Sequence, residues 1–148
     1  MTKKTLPVGT KKSYITTTFD VSGLHWFPGA GSSADFDDVS FLAWMHRHKF
    51  IFEVMVDVRH DERDVEFLQF QTICKGGVYN MDGAYKDANR EPTNVYSVDV
   101  VFGPKSCETI GSELIDYILK YYGDRFNVVQ VKVSEDGENS AIVRWTKD

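Results

Sequence analysis

Three of the four histidines in this 148-residue chain have a spacing that can do metal chemistry. His46 and His48 stand two apart in an alternating stretch, so on a strand both imidazoles leave the same face. His25 lies just past the preceding strand and can supply a third ring. Three imidazoles form a tripod for Zn²⁺ that leaves one tetrahedral position open for water or substrate. Copper, iron and nickel accept the same ligands. The pair also fits a plainer reading, in which both are polar side chains partly exposed where the strand leaves the core. His60, in the turn Arg59-His-Asp-Glu, reads as solvated.

Glu135 is the second unusual residue. Val129, Val131 and Val133 share one face of a strand, and the same parity puts Glu135 on that face at the strand's end. There a carboxylate either points to water or accepts a pair of N–H donors from a guanine-like edge. Trp26, Phe27, Phe41 and Trp44 flank the histidines and could stack on a flat heterocycle or belong to the core. Cys107, at a helix N-terminus, is a candidate activated thiol, and Cys74 is a second. Either could equally be inert and buried. Asp64, Glu66 and Glu108 are carboxylates that could act as bases if held beside a metal.

The elements that must position these groups follow from pattern. Residues 1–12 hold four lysines, Pro7 and Gly9, a frayed tail; a single domain follows over 13–148. Tyr14–Val21 is β-rich, with Gly23 expected to break it. Residues 28–38 read as an acidic loop. From 46 to 58 strict alternation gives a long strand with one apolar face. Val65–Phe70 alternates again, which suggests an antiparallel hairpin across the charged turn 59–64. Residues 74–95 lack periodicity, and Tyr96–Phe102 reads as a short strand. Ile110, Leu114, Ile118 and Tyr122 recur at i, i+4, giving a helix capped by Ser106 and closed by Gly123. Phe126–Val133 and Ser140–Thr146 are strands joined by a turn carrying Asp-Gly. The class is α+β with a mostly antiparallel sheet.

Composition narrows the functions. The chain is 42% hydrophobic and 26% charged, the balance of a soluble globular domain. A formal net charge of −5 argues against an extensive nucleic-acid surface. Two cysteines are too few for a disulfide scaffold, so the protein is expected to be cytoplasmic. No run approaches a membrane span, and the N-terminus has no apolar stretch of a signal peptide.

Taken together, these segments resemble the 6-pyruvoyltetrahydropterin and 6-carboxytetrahydropterin synthase family. The family's Phe-Ser-Ala-Ala-His-Arg-Leu-Pro is similar to Phe19–Pro28, and its Leu-His-Gly-His-Asn-Tyr to Met45–Phe50. Its Met-Val-Met-Asp-Phe is similar to Asp64–Phe67. The helix opening Pro-Thr-x-Glu-Asn is similar to Lys105–Thr109, and Val-x-Val-x-Glu-Thr to Val131–Asp136. The resemblance implies the tunnelling fold, an antiparallel four-stranded sheet with helices on one face, assembled as a ring-forming homo-oligomer, often a hexamer. It implies Zn²⁺ on His25, His46 and His48, with Glu135 anchoring the amino and ring N–H groups of a pterin or purine-like heterocycle. The implied activity is a zinc-dependent lyase of the synthase type. The alternatives are a lapsed enzyme that sequesters a pterin, purine or nucleotide, and a structural ring. Family members also place a cysteine base shortly before His-x-His, and an Asp-His pair later. Residues 26–45 contain no cysteine and no histidine follows His60, which leaves Cys107 and Glu108 as candidate catalytic groups.

Overall fold

The computed structural model describes residues 4–81 and 98–148. Strand β1 (Tyr14–His25) pairs antiparallel with β2 (His46–Asp57). Helix α1 (Phe67–Tyr79) follows, then strand β3 (Val100–Gly103), helix α2 (Cys107–Tyr122), and strands β4 (Val128–Glu135) and β5 (Asn139–Thr146). The sheet order is β3-β1-β2-β4-β5. Four of the strands form the expected antiparallel sheet, and the short β3 adds a fifth, parallel to β1.

Alternation dictates the core. Phe50, Phe52, Val54 and Val56 of β2 are fully buried, and they share a face with Phe19 and Val21 of β1 and Val129, Val131 and Val133 of β4. Both helices cover that face. Helix α2 contributes Ile110, Leu114 and Ile118, and α1 contributes Phe70, Cys74 and Val78, all in one apolar cluster. Each such side chain contributes roughly 1.5–3 kcal/mol when fully buried. Ser106 accepts a hydrogen bond from the Thr109 N–H at the start of α2, and Gly123, with φ 64°, closes it as expected.

Three expectations are corrected. First, Gly23 does not end β1, which runs on to His25. A Cβ at Gly23 would lie 2.7 Å from ring atoms of both Phe50 and Phe102, so glycine is there for close packing rather than for a turn. Second, Val65–Phe70 is not a hairpin strand. Glu66 accepts hydrogen bonds from the N–H groups of Leu68 and Gln69 and starts α1, leaving Phe67 and Leu68 exposed on its first turn. The helix runs to Tyr79 through Gly76 and Gly77, where helix propensity is poor. Gly77 is needed because a Cβ would sit 2.6 Å from Tyr117 and 2.7 Å from Leu114 of α2. Third, the loop after Pro28 contains two short 3₁₀ turns over Ala34–Ala43. The aperiodic reading of residues 82–95, and the first residues of the strand expected over 96–102, lie outside the described residues; β3 begins at Val100.

The turn after β2 is held by Asp64, whose side chain is only 2% exposed and takes hydrogen bonds from the Arg59 side chain and backbone and from Arg125. These donors, Arg59 foremost, keep its carboxyl well below the usual carboxylate range. A depressed folded-state pKa adds stability that is complete above the unfolded value near 4 and is lost as pH falls through the folded one. The stability gap between wild type and Asp64→Asn should therefore narrow as urea titrations move from pH 6 to pH 3. Independently, Gly23→Ala should cost about 1–3 kcal/mol of unfolding free energy through overpacking against Phe50 and Phe102. An unchanged denaturation midpoint would show that both rings can turn aside.

Candidate metal centre

Strand register builds the site. His25 is paired directly with His46, and His48 sits two residues further along β2, opposite Gly23. All three rings stand on one face at the end of the sheet, with centroids 4.6, 5.2 and 5.0 Å apart. Phe50 lies beneath them, 5.1 Å from His25 and 5.7 Å from His48, and closes the site from the core side. One ring nitrogen from each histidine lies within 4.8 Å of the others.

The outer nitrogens fix the tautomers. His25 Nδ1 donates to the Lys105 carbonyl at 3.0 Å, and His46 Nδ1 to the Trp44 carbonyl at 2.8 Å. His48 Nδ1 donates to the Asp136 carboxylate at 2.6 Å. Carbonyl and carboxylate oxygens only accept, so in each neutral ring the proton is on Nδ1 and the Nε2 lone pair is left facing inward. Nε2 of His25 and of His48 are buried without a hydrogen bond among the described residues. Buried acceptors of this kind are costly unless a cation satisfies them. Burial pulls the His25 pKa down, with the other two imidazoles adding to that effect, so His25 favours the neutral form that a metal ligates. The donors therefore fit a divalent ion, with the outer-nitrogen partners that orient metal-binding histidines already in place.

Glu135 completes the cluster. It pairs with Phe50 across β2 and β4, and its two oxygens stand 3.2 Å from His25 Nε2 and 3.5 Å from His48 Nε2. The next residue, Asp136, turns back with φ 57°. Its other oxygen accepts from the Lys49 N–H at 2.8 Å. The His48 bond, the largest influence, lowers the Asp136 pKa.

Beside the cluster opens a cavity of about 470 Å³ whose lining includes Trp26, Phe27, Cys107, Glu108, Glu135 and Ser140. That volume suits a small ligand. Cys107 begins α2, and its Sγ lies 3.5 Å from Glu135 Oε1. Burial, then the Glu135 charge, push the thiol up to about 12, so it remains protonated at neutral pH. Cys74 sits in the core under the helices, likewise raised to about 12 by burial. Asp64 and Glu66 are committed to the turn and to the α1 cap, and neither lines this cavity. His60 is exposed beside Asp64. Phe41 and Trp44 are exposed, whereas Trp26 packs against Leu24 and Val101. Sequence reasoning missed Asp136: strand parity would place it opposite Glu135, and only the positive φ of the turn brings it to His48. It missed the Lys105 and Trp44 carbonyls as well, since backbone acceptors carry no residue signature.

No protein-family model and no curated protein matches the chain. Solved structures do match. The 6-pyruvoyltetrahydropterin synthase of Plasmodium falciparum superposes with a TM-score of 0.56 at 12% identity, over 93% of this chain and 99% of that one. Its fold is that of 6-pyruvoyltetrahydropterin synthase. The Caenorhabditis elegans synthase gives 0.54 at 11% identity, over 93% of this chain and 97% of that one. An uncharacterized protein of Wolinella succinogenes gives 0.56 at 17%, over 94% and 100%. At these identities the likeness is one of fold. Within the pterin-synthase fold of this chain, the cluster of His25, His46 and His48 rests on its own geometry.

Asp136→Asn removes the charged acceptor on His48 and leaves the three histidines in place. It should weaken zinc affinity by about 10- to 100-fold, measured by competition with a chromophoric chelator, as loss of an outer-shell partner does. An unaltered affinity would mean that His48 is oriented by its strand alone.

Proposed function

We propose that this chain is a zinc-binding protein of the pterin-synthase type, acting on or binding a pterin or related guanine-like heterocycle in the cavity beside His25, His46 and His48. One observation carries the reading: three imidazoles have every Nδ1–H committed outward and three ring nitrogens gathered inward. His25, His46 and His48 would hold zinc there, and it would supply Lewis acidity toward a hydroxyl or carbonyl-adjacent group of the ligand. The chain's own groups do the rest. Trp26 and Phe27 offer faces for a flat ring, and the Glu135 carboxylate offers paired acceptors for its N–H groups.

Proton transfer falls to a carboxylate in this reading. Glu108 lines the cavity on the first turn of α2, whereas the Cys107 thiol stays protonated. A structure of the Plasmodium vivax synthase carries an alanine in place of a catalytic glutamate, so a glutamate serves in that protein's reaction. A second reading, a binder that has lost turnover, is favoured by the lack of any cysteine at 26–45 and of any histidine after His60. Both readings include a homo-oligomer of cytoplasmic type, a hexamer by resemblance, with no membrane or nucleic-acid partner. No described helix is long and apolar enough to cross a membrane.

Elemental analysis of the purified protein should find about one zinc per chain, lost in His48→Ala. Incubation with dihydroneopterin triphosphate then separates the readings. An enzyme turns it over, and Glu108→Gln slows it about 10²- to 10⁴-fold at unchanged metal content. A binder retains a pterin without converting it. Protein holding no stoichiometric metal would overturn both.

A further inference from the structure

We propose that Glu135 is a fourth protein ligand of the metal, so that the resting centre is closed by three histidines and one carboxylate. The inference rests on the metal reading above and goes beyond it, because a tripod alone would leave one position open.

Two ligands bonded at about 2.0–2.1 Å to one tetrahedral ion lie about 3.3–3.4 Å from each other. Glu135 Oε1 stands 3.2 Å from His25 Nε2 and Oε2 3.5 Å from His48 Nε2, so each oxygen meets one of the two rings at close to that separation. These contacts are not hydrogen bonds. Both Nδ1 atoms hold their proton toward Lys105 and Asp136, and both Nε2 atoms lack a hydrogen-bond partner among the described residues. Lone pairs of nitrogen and of carboxylate oxygen therefore face one another, an arrangement that repels unless a cation lies between them.

The backbone keeps the carboxylate in that place. Glu135 is the last residue of β4, paired with Phe50 on one side and Asn139 on the other. Asp136 N–H donates to the Lys49 carbonyl at 2.8 Å and Glu138 N–H to the Glu135 carbonyl at 3.0 Å. His48 is thus held between consecutive carboxylates, Glu135 at Nε2 and Asp136 at Nδ1. A ligand that reaches the metal must displace Glu135, and the freed carboxylate faces the same cavity, where it can accept that ligand's N–H groups. The Cys107 Sγ lies 3.5 Å from Oε1, within hydrogen-bonding reach of the carboxylate.

The test uses the metal-free full chain titrated with Co²⁺ and, separately, Zn²⁺. Wild type should give the intense visible bands of four-coordinate cobalt. Glu135→Gln and Glu135→Ala should weaken and shift those bands. Both should also lower the affinity for either metal by at least the 10- to 100-fold that an outer-shell loss costs. Circular dichroism confirms folding of both variants, and His48→Ala serves as the control that abolishes binding. Wild-type spectrum and affinity in both Glu135 variants would overturn the fourth ligand while leaving the histidine site intact. A near-ultraviolet thiolate-to-cobalt band lost in Cys107→Ser would also overturn it, by placing sulfur in that position. Failure of wild type itself to bind either metal would instead overturn the underlying metal reading.

Discussion

The site depends on the register between β1 and β2, which puts His25 directly across from His46. A slip of one residue would turn His46 and His48 to the opposite face of the sheet, away from Glu135. Core packing prevents that slip. The same parity that aims the two histidines buries Phe50, Phe52, Val54 and Val56, each contributing roughly 1.5–3 kcal/mol, and a slipped strand would expose all four. Phe19 stacks on Phe52 at 5.1 Å across the same pair of strands. The apolar face of β2 is thus what holds the imidazoles in place, and Phe50 is both the last core residue and the floor of the centre.

Around that frame, each histidine is oriented by a different segment. The entry to α2 supplies the Lys105 carbonyl to His25, the end of the 3₁₀ segment supplies the Trp44 carbonyl to His46, and the β4–β5 turn supplies Asp136 to His48. Segments distant in sequence therefore meet at the outward-facing ring nitrogens. Asp136 can reach because an aspartate tolerates positive φ better than most residues, and Gly137 follows with φ 77°. The turn is tied to β2 through both the backbone and the carboxylate of Asp136, by way of Lys49 and His48.

What could be read from sequence follows the range of the interactions involved. The β2 alternation, the α2 stripe with its Ser106 and Gly123 ends, and the shared face of Val129 to Glu135 are local periodicities, and each appears as expected. The shared face of His46 and His48 was legible for the same reason, and His25 through its place beside the preceding strand. The α1 helix was not, because Val65–Phe70 alternates like a strand while the decisive feature is the Glu66 cap, with Phe67 and Leu68 left exposed. Gly23 looked like a breaker, yet it serves, as Gly77 does, a close approach between elements that no local window contains. The Glu135 contact with two imidazoles is likewise a product of sheet order, since it needs β4 next to β2 rather than next to β1.

That sheet order also couples the metal to the fold. His25 ends β1, His46 and His48 begin β2, and Glu135 ends β4, so an ion shared among them would tie together three adjacent strands at one edge of the core. Without a cation, the same edge holds inward lone pairs of His25 and His48 against a carboxylate, with Phe50 denying them water from below. In the proposed centre, binding and local order would be a single equilibrium, in which an ion would stabilise the folded state by its affinity for this edge. The apolar core sets the register and the outer hydrogen bonds set the tautomers. Balance among the inward groups is what an ion would add.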